Sequence, residues 1–256
     1  MSILGNRVLR REDVGFLTEG ACYTDDLDEP ALEGALWVTY VRSTMAHAKI
    51  VVDASEASTM PGVAGVFTAA DLDGPTILQG QVPMFPEAML NRPILAIDTV
   101  RFVGECIAVV LSETPEEGAD AAEAVSIDYE PLPVVVDMEE AATDSVLIYE
   151  EIGTNIAADF SALGMATGIT DDSFFEDCEI VLSGRVSHQR TAPAPLEPRS
   201  TAATWEGDKA IMWMSNQAPH GVKGALEPLY AEQAKGGFQV IVPDVGGGFG
   251  LSLIHI

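Results

Sequence analysis

The stretch that decides the fold is Glu105-Cys106-Ile107-Ala108-Val109-Val110-Leu111, then Thr114-Pro115-Glu116-Glu117, then Val125-Ser126-Ile127-Asp128-Tyr129. The first piece is a continuous apolar run of strand length and reads as a buried strand. Thr114 can cap a helix, Pro115 suits its first position, and Glu117 can close a capping box. The spacing predicts a helix over Glu116–Ala124 with its acids in the first turn, where they complement the dipole. Val125–Tyr129 returns as a strand. A strand, an alanine-rich helix and a strand imply a mixed α/β layer with helices lying on a sheet. Pro131 and Pro133 end the unit.

Working outward, Gly34–Ser43 alternates and is rich in aromatic and β-branched residues, so it reads as a strand. His47–Asp53 and Val63–Thr68 read likewise, with a short helix at Ala54–Met60 stopped by Pro61-Gly62. Leu72–Asn91 has no period and reads as a long loop. The character changes near Thr143–Thr154. Beyond it come a short helix at Asp171–Cys178 and an alternating strand at Glu179–His188. A hairpin follows, Ser200–Glu206 and Lys209–Ser215, turned at Gly207-Asp208. Pro219–Lys235 reads as helix, kinked or split by Pro228. Phe238–Val242 reads as a strand running into the glycine-rich end. This pattern gives an arm over 1–17, a first domain over 18–142, a second over 143–250 and a tail over 251–256.

Composition bounds the function classes. The chain has 256 residues, 13 Lys+Arg against 40 Asp+Glu, a net charge of −27 and 47% hydrophobic residues. It is long enough for a sizeable core, and its hydrophobicity argues against disorder. Its charge repels phosphate backbones and anionic membrane surfaces, which argues against both as partners. The same balance suits a salty cytoplasm. No apolar run approaches bilayer-spanning length, and Met1–Arg11 lacks the apolar core of a secretory signal, so a cytoplasmic location is expected. Cys22, Cys106 and Cys178 form no CxxC and read as free thiols rather than a disulfide framework or zinc site.

Three segments can carry chemistry. In Gly246-Gly247-Gly248-Phe249-Gly250, glycine fills four of five positions after a strand. Such a backbone can cradle an anion or press against a cofactor; it can equally be a tight turn at a sheet corner. It fits neither the dinucleotide fingerprint nor the P-loop, since position 251 is Leu and no Gly-Lys-Ser/Thr follows. Ser215-Asn216-Gln217-Ala218-Pro219-His220 sits where a strand ends and a helix begins. Gln217 there either meets a ligand with its amide or caps the helix. His220 reads as a solvated residue, because His47, His188 and His255 are remote in sequence. In Arg190–Arg199 three prolines hold the chain extended, and Glu197 with Arg199 reads as an ion pair or an interface contact. Asp25-Asp26 and Glu139-Glu140 read as solvated faces. No Ser/His/Asp or Cys/His arrangement stands out, and no metal ligands are assigned.

Together these segments resemble the large, molybdenum-binding subunit of the xanthine dehydrogenase, aldehyde oxidase and carbon monoxide dehydrogenase family. The resemblance runs over nearly the whole chain. It is carried by Gly20-Ala21-Cys22-Tyr23-Thr24-Asp25-Asp26, Val41-Arg42-Ser43 with His47-Ala48-Lys49-Ile50, Val100-Arg101-Phe102-Val103-Gly104-Glu105, and Asp128-Tyr129-Glu130-Pro131-Leu132-Pro133. Leu196-Glu197-Pro198-Arg199, Gln217-Ala218-Pro219-His220 and Pro243–Gly250 carry it further. It implies an α/β "hammerhead" domain followed by the start of a molybdopterin-binding domain. The implied cofactor is molybdopterin, often the cytosine dinucleotide form, with Gln217 beside the metal's oxo ligand and Gly248, Phe249 and Gly250 against the cofactor. The implied reaction is hydroxylation of a small substrate with oxygen from water, a Glu as base, and electrons leaving through 2Fe–2S clusters to FAD on partner subunits, in a dimer of heterotrimers. "QAPH" leans toward the carbon monoxide dehydrogenase-like branch.

Family large subunits are roughly three times as long as this chain, which makes it an N-terminal fragment in expectation. The tail Leu251–Ile256 departs from the small residue and Lys that usually follow Gly250, and is expected to be foreign. The catalytic Glu is expected downstream, so this fragment alone is expected to be inactive. The alternative is a non-catalytic α/β binding or assembly module.

Overall fold

The apolar run at 105–111 folds as the central strand of a sheet, and the rest of its unit is arranged around it. In a computed structural model of the chain, residues 5, 10–72, 77–78, 92–157 and 172–249 are described. The strands are β1 (Trp37–Arg42), β2 (Ala48–Asp53), β3 (Val63–Thr68), β4 (Ile77–Leu78), β5 (Arg92–Pro93), β6 (Thr99–Val100), β7 (Cys106–Ser112), β8 (Ser126–Pro131), β9 (Thr201–Glu206), β10 (Lys209–Met214) and β11 (Phe238–Ile241). The helices are α1 (Asp13–Thr18), α2 (Pro115–Glu123), α3 (Met138–Ala141) and α4 (Pro219–Leu229). Two compact units result, one of Gly34–Gln189 and one of Met1–Glu33 with Arg190–Ile256.

In the Gly34–Gln189 unit, β7 lies between β1 and β3, antiparallel to both. Its alternation divides its side chains between two cores. Ala108 and Val110 face a cluster with Val41, Ala57, Ala121 and Val125. Ile107, one step out of phase, packs with Ala48, Ile50, Ala96 and Val100 of the second sheet, β6-β2-β8. Helix α2 lies over β1 and β7. The Thr114 hydroxyl accepts from the Glu117 N–H at 3.3 Å, and the Glu117 carboxylate accepts from the Thr114 N–H at 3.1 Å. Gly118 sets how closely the helix sits: a Cβ there would run into Thr39 Oγ1 and come within 2.6 Å of Ser112 Oγ.

Several expectations are corrected here. In the strand–helix–strand stretch β7 belongs to the first sheet and β8 to the second, and every pairing described in this unit is antiparallel. The helix spans the step between two sheets. Ala54–Met60 forms only the 3₁₀ turn Ala57–Thr59, and 171–178 gives the 3₁₀ turn Asp172–Phe175. Glu179–His188 is not a strand. Among the described residues no strand pairs with it, and 179–190 are all exposed. Alternation gives a segment the capacity for one buried face, but only a neighbour can take its N–H and C=O groups. The expected loop 72–91 lies almost wholly outside the described residues.

Residues 18–33 group with 190–256, because Cys22 and Thr24 hydrogen-bond to Asp244 and Glu197. Residues 144–157 stay with the first sheets. The Asn155 amide donates to Ala141 O at 3.0 Å and Val146 O at 2.7 Å, and Arg101 Nε donates to Ile148 O at 3.2 Å.

Candidate functional site

The second unit is built on the hairpin β9–β10, tightened by Gly207 at φ 64°, and on β11, which pairs parallel with β10 in the register Ala210↔Phe238 to Trp213↔Ile241. Parallel neighbours need a crossover, and α4 supplies it. Phe238, Ala210 and Ala234 form the core beneath it, with Leu226 and Tyr230 packed alongside. Helix α4 ends at Leu229, directly after Pro228, so the expected extension to Lys235 does not form. Because β10 and β11 run the same way, the segments leaving them emerge side by side at the carboxyl edge. In α/β sheets that edge is where ligands gather.

Both segments carry the residues singled out in the sequence. After β10, Asn216 is buried and its Oδ1 accepts from the Ala218 N–H at 2.6 Å, closing the turn that sets Pro219 at the head of α4. Gln217 follows on that turn and is exposed. His220 is exposed in the first turn of α4. After β11, Asp244 is laced to the N-terminal segment: its N–H donates to Cys22 O at 3.2 Å, and the Cys22 N–H donates to Asp244 Oδ2 at 3.0 Å.

The glycine loop is not uniform. At Gly246 a Cβ would collide with Glu197 Cβ and lie 2.9 Å from Glu197 N and 3.0 Å from the Tyr23 ring, so this glycine serves packing. Gly247 sits at φ 125°, which side chains rarely tolerate. Gly248 is half-buried. Phe249 is at φ 49° and 76% exposed, a large apolar ring held outward at a left-handed position. Gly250, named with these residues from the sequence, lies outside the described residues, as does 251–256.

Glu197 is the residue that sequence reasoning undervalued. Its side chain is 3% exposed rather than a surface partner, and its two oxygens collect three donors. Oε1 accepts from the Thr24 N–H at 3.3 Å. Oε2 accepts from the Ser215 hydroxyl at 2.8 Å and the Gly246 N–H at 2.7 Å. One carboxylate therefore ties the start of the Gln217 turn, the glycine loop and the segment around Tyr23. No local pattern announced this, since the donors lie 18, 49 and 173 residues away. Thr24 Oγ1 beside it is buried without a hydrogen-bond partner, an acceptor and donor open to a further group.

The arrangement offers an exposed carboxamide, a bare backbone and an exposed ring at one sheet edge. Such a set suits a polar ligand rich in hydrogen-bond acceptors. Among the described residues no cluster of three or more His, Cys, Asp or Glu is placed to hold a metal ion, and no helix is long and apolar enough to cross a membrane.

Comparisons with known proteins bear on this directly. Residues 18–133 match the family model for the aldehyde oxidase and xanthine dehydrogenase a/b hammerhead domain, and residues 148–255 match the molybdopterin cofactor-binding domain. The second match takes in most of 251–256. The nicotine 6-hydroxylase large subunit of Paenarthrobacter nicotinovorans is 34% identical over 253 residues, covering 97% of this chain and 30% of that protein. The carbon monoxide dehydrogenase large chain of Afipia carboxidovorans is 33% identical, covering 96% of this chain and 31% of that protein. The crystal structure of quinoline 2-oxidoreductase from Pseudomonas putida 86 superimposes with a TM-score of 0.81 at 31% identity, covering 98% of this chain and 31% of that one. The chain thus spans about a third of the length of these relatives. A hammerhead domain followed by the start of a molybdopterin-binding domain, in this order and over nearly every residue, means that the chain belongs to the large-subunit family of the molybdenum hydroxylases, with the xanthine dehydrogenases, aldehyde oxidoreductases and carbon monoxide dehydrogenases.

Proposed function

We propose that these residues form the hammerhead and the first cofactor-facing wall of a molybdenum hydroxylase acting on a small molecule. The observation that carries the reading is the emergence of the Gln217 turn and the glycine loop at one carboxyl edge of β10 and β11, both bonded to the Glu197 carboxylate. Molybdopterin, when bound, supplies two-electron oxidation with oxygen taken from water. Gln217 donates its amide N–H to an oxo acceptor. Gly248 would let the backbone approach and the Phe249 ring would exclude water on that side, and Gly250 is kept in the same proposal from its place in the sequence. In this reading the cofactor is the cytosine dinucleotide form, and 2Fe–2S and FAD groups on small and medium partner subunits would take up the electrons, in a dimer of heterotrimers in the cytoplasm.

The 256 residues taken alone turn nothing over. Of the carboxylates at this edge, Glu197 is buried with its oxygens turned to Thr24, Ser215 and Gly246, and Asp244 is bonded to Cys22, which supports a base from outside these residues. The arm over 1–17 and the domain boundary near 143 belong to the same proposal. The test is dye-coupled oxidation by the complete product of the gene, made in a host that synthesises molybdopterin, with carbon monoxide, aldehydes and N-heterocycles as substrates. Oxidation of one class is expected and names the substrate. Protein that carries molybdopterin yet oxidises none of them contradicts the hydroxylase reading and leaves a binding module.

A further inference from the structure

We infer that Glu197 is a positioning residue that locks the Gln217 turn and the glycine loop into one rigid jaw; the inference rests on the cofactor reading of those two segments. Ser215 stands two residues before Gln217, and Gly246 two residues before Gly248, so each hydrogen bond anchors the root of one proposed cofactor contact. Both end on the same atom, Oε2, at 2.8 and 2.7 Å. A shift of either segment therefore disturbs the other's anchor.

The chemistry of the cluster demands a carboxylate. All three partners donate, and two of them are backbone N–H groups that cannot reverse. A carboxylate is acceptor-only and satisfies all of them; an amide of the same shape presents its NH₂ to one backbone N–H. None of the three donors is itself charged. The burial cost of the charge is met by these hydrogen bonds, which makes the site intolerant of losing any of them. Gly246 completes the jaw, since only a residue without Cβ lets its N–H reach the carboxylate past Glu197's own backbone.

The experiment uses the complete product of the gene, loaded and unloaded, with Glu197→Ala, Glu197→Gln and Ser215→Ala. Hydrogen exchange of the unloaded protein reads the jaw. Glu197→Ala is expected to speed exchange by about tenfold or more in 215–218 and 243–249 together, with 34–157 unchanged. Ser215→Ala is expected to loosen the glycine loop although its hydroxyl bonds to Glu197 and not to that loop. Glu197→Gln keeps Oε2's two partners and frees only the Thr24 segment. In loaded protein the paramagnetic resonance signal of the partly reduced metal is expected to shift in Glu197→Ala, and little in Glu197→Gln. Loosening of only one segment, uniform loosening of the whole protein, or an unaltered metal signal in loaded Glu197→Ala overturns the inference. Wild-type protein that shows the coupled exchange but takes up no molybdopterin upholds the jaw and refutes the proposed function instead.

Discussion

Gly246→Ala and Gly224→Ala make the same chemical change in the same unit, and the structure gives them opposite signs. At Gly246 the new methyl would sit 2.9 Å from Glu197 N and 3.0 Å from the Tyr23 ring, well inside the ~3.5–4.0 Å optimum for such contacts. The first neighbour is backbone and cannot rotate away. Either the loop stays and bears an overpacking strain of about 1–3 kcal/mol, or it withdraws and gives up the Gly246 N–H bond to a carboxylate, about 1.5–3 kcal/mol. These are alternatives, so the cost is about 2 kcal/mol, less roughly 0.4–1 kcal/mol from the stiffer unfolded chain. At Gly224, inside α4, a Cβ meets nothing within 4 Å. Alanine there gains about 1 kcal/mol of helix propensity. The two variants should therefore differ by about 2–3 kcal/mol. Urea unfolding followed by tryptophan fluorescence measures this, because buried Trp213 on β10 and half-exposed Trp205 on β9 both report on this unit. A Gly246→Ala protein as stable as wild type would refute the claim that the loop is pressed onto Glu197.

Gly118→Ala should destabilise the other unit by about 1–3 kcal/mol, since the methyl meets Thr39 Oγ1 and the fully buried Ser112 hydroxyl; adding Ser112→Ala should recover part of the loss in thermal unfolding. Cys106 should react with a thiol reagent far more slowly than the exposed Cys22 and Cys178, because burial raises its thiol above the ordinary range despite nearby Arg42; equal rates for all three would contradict the packing of β7. The Thr68 N–H and hydroxyl hold the Asp71 carboxyl below the usual range. A lowered folded value means the contribution is present above the unfolded carboxylate pKa and is lost as pH falls through the folded one. Asp71→Asn should therefore lower stability at neutral pH and converge with wild type in strong acid, as read by melting temperature against pH.

Signals that act within a few residues were legible in the sequence. Val63–Thr68 formed the expected strand, Thr114 and Glu117 closed their box, and Gly207-Asp208 turned its hairpin. What depended on distant partners was not. Glu179–His188 alternates, yet no strand among the described residues pairs with it. In the β7–α2–β8 stretch the two strands and the helix were visible, but periodicity says nothing of the sheet each strand joins. At the site, Gln217 and the glycine loop were visible as motifs, and their placement at one edge follows from the parallel pairing of β10 and β11. Glu197 was read only as an ion pair or interface contact because the donors that give it meaning come from three separate parts of the chain.

The measurement that bears most directly on the account is the molybdenum and pterin content of the complete product of the gene, purified from a molybdopterin-synthesising host, beside the 256-residue chain purified in the same way. The account predicts about one molybdenum and one pterin per chain in the complete product and little of either in the 256 residues alone. A full complement in the 256-residue chain would contradict the claim that these residues supply only one wall of the site. Complete product free of both would contradict the assignment of this sheet edge to molybdopterin.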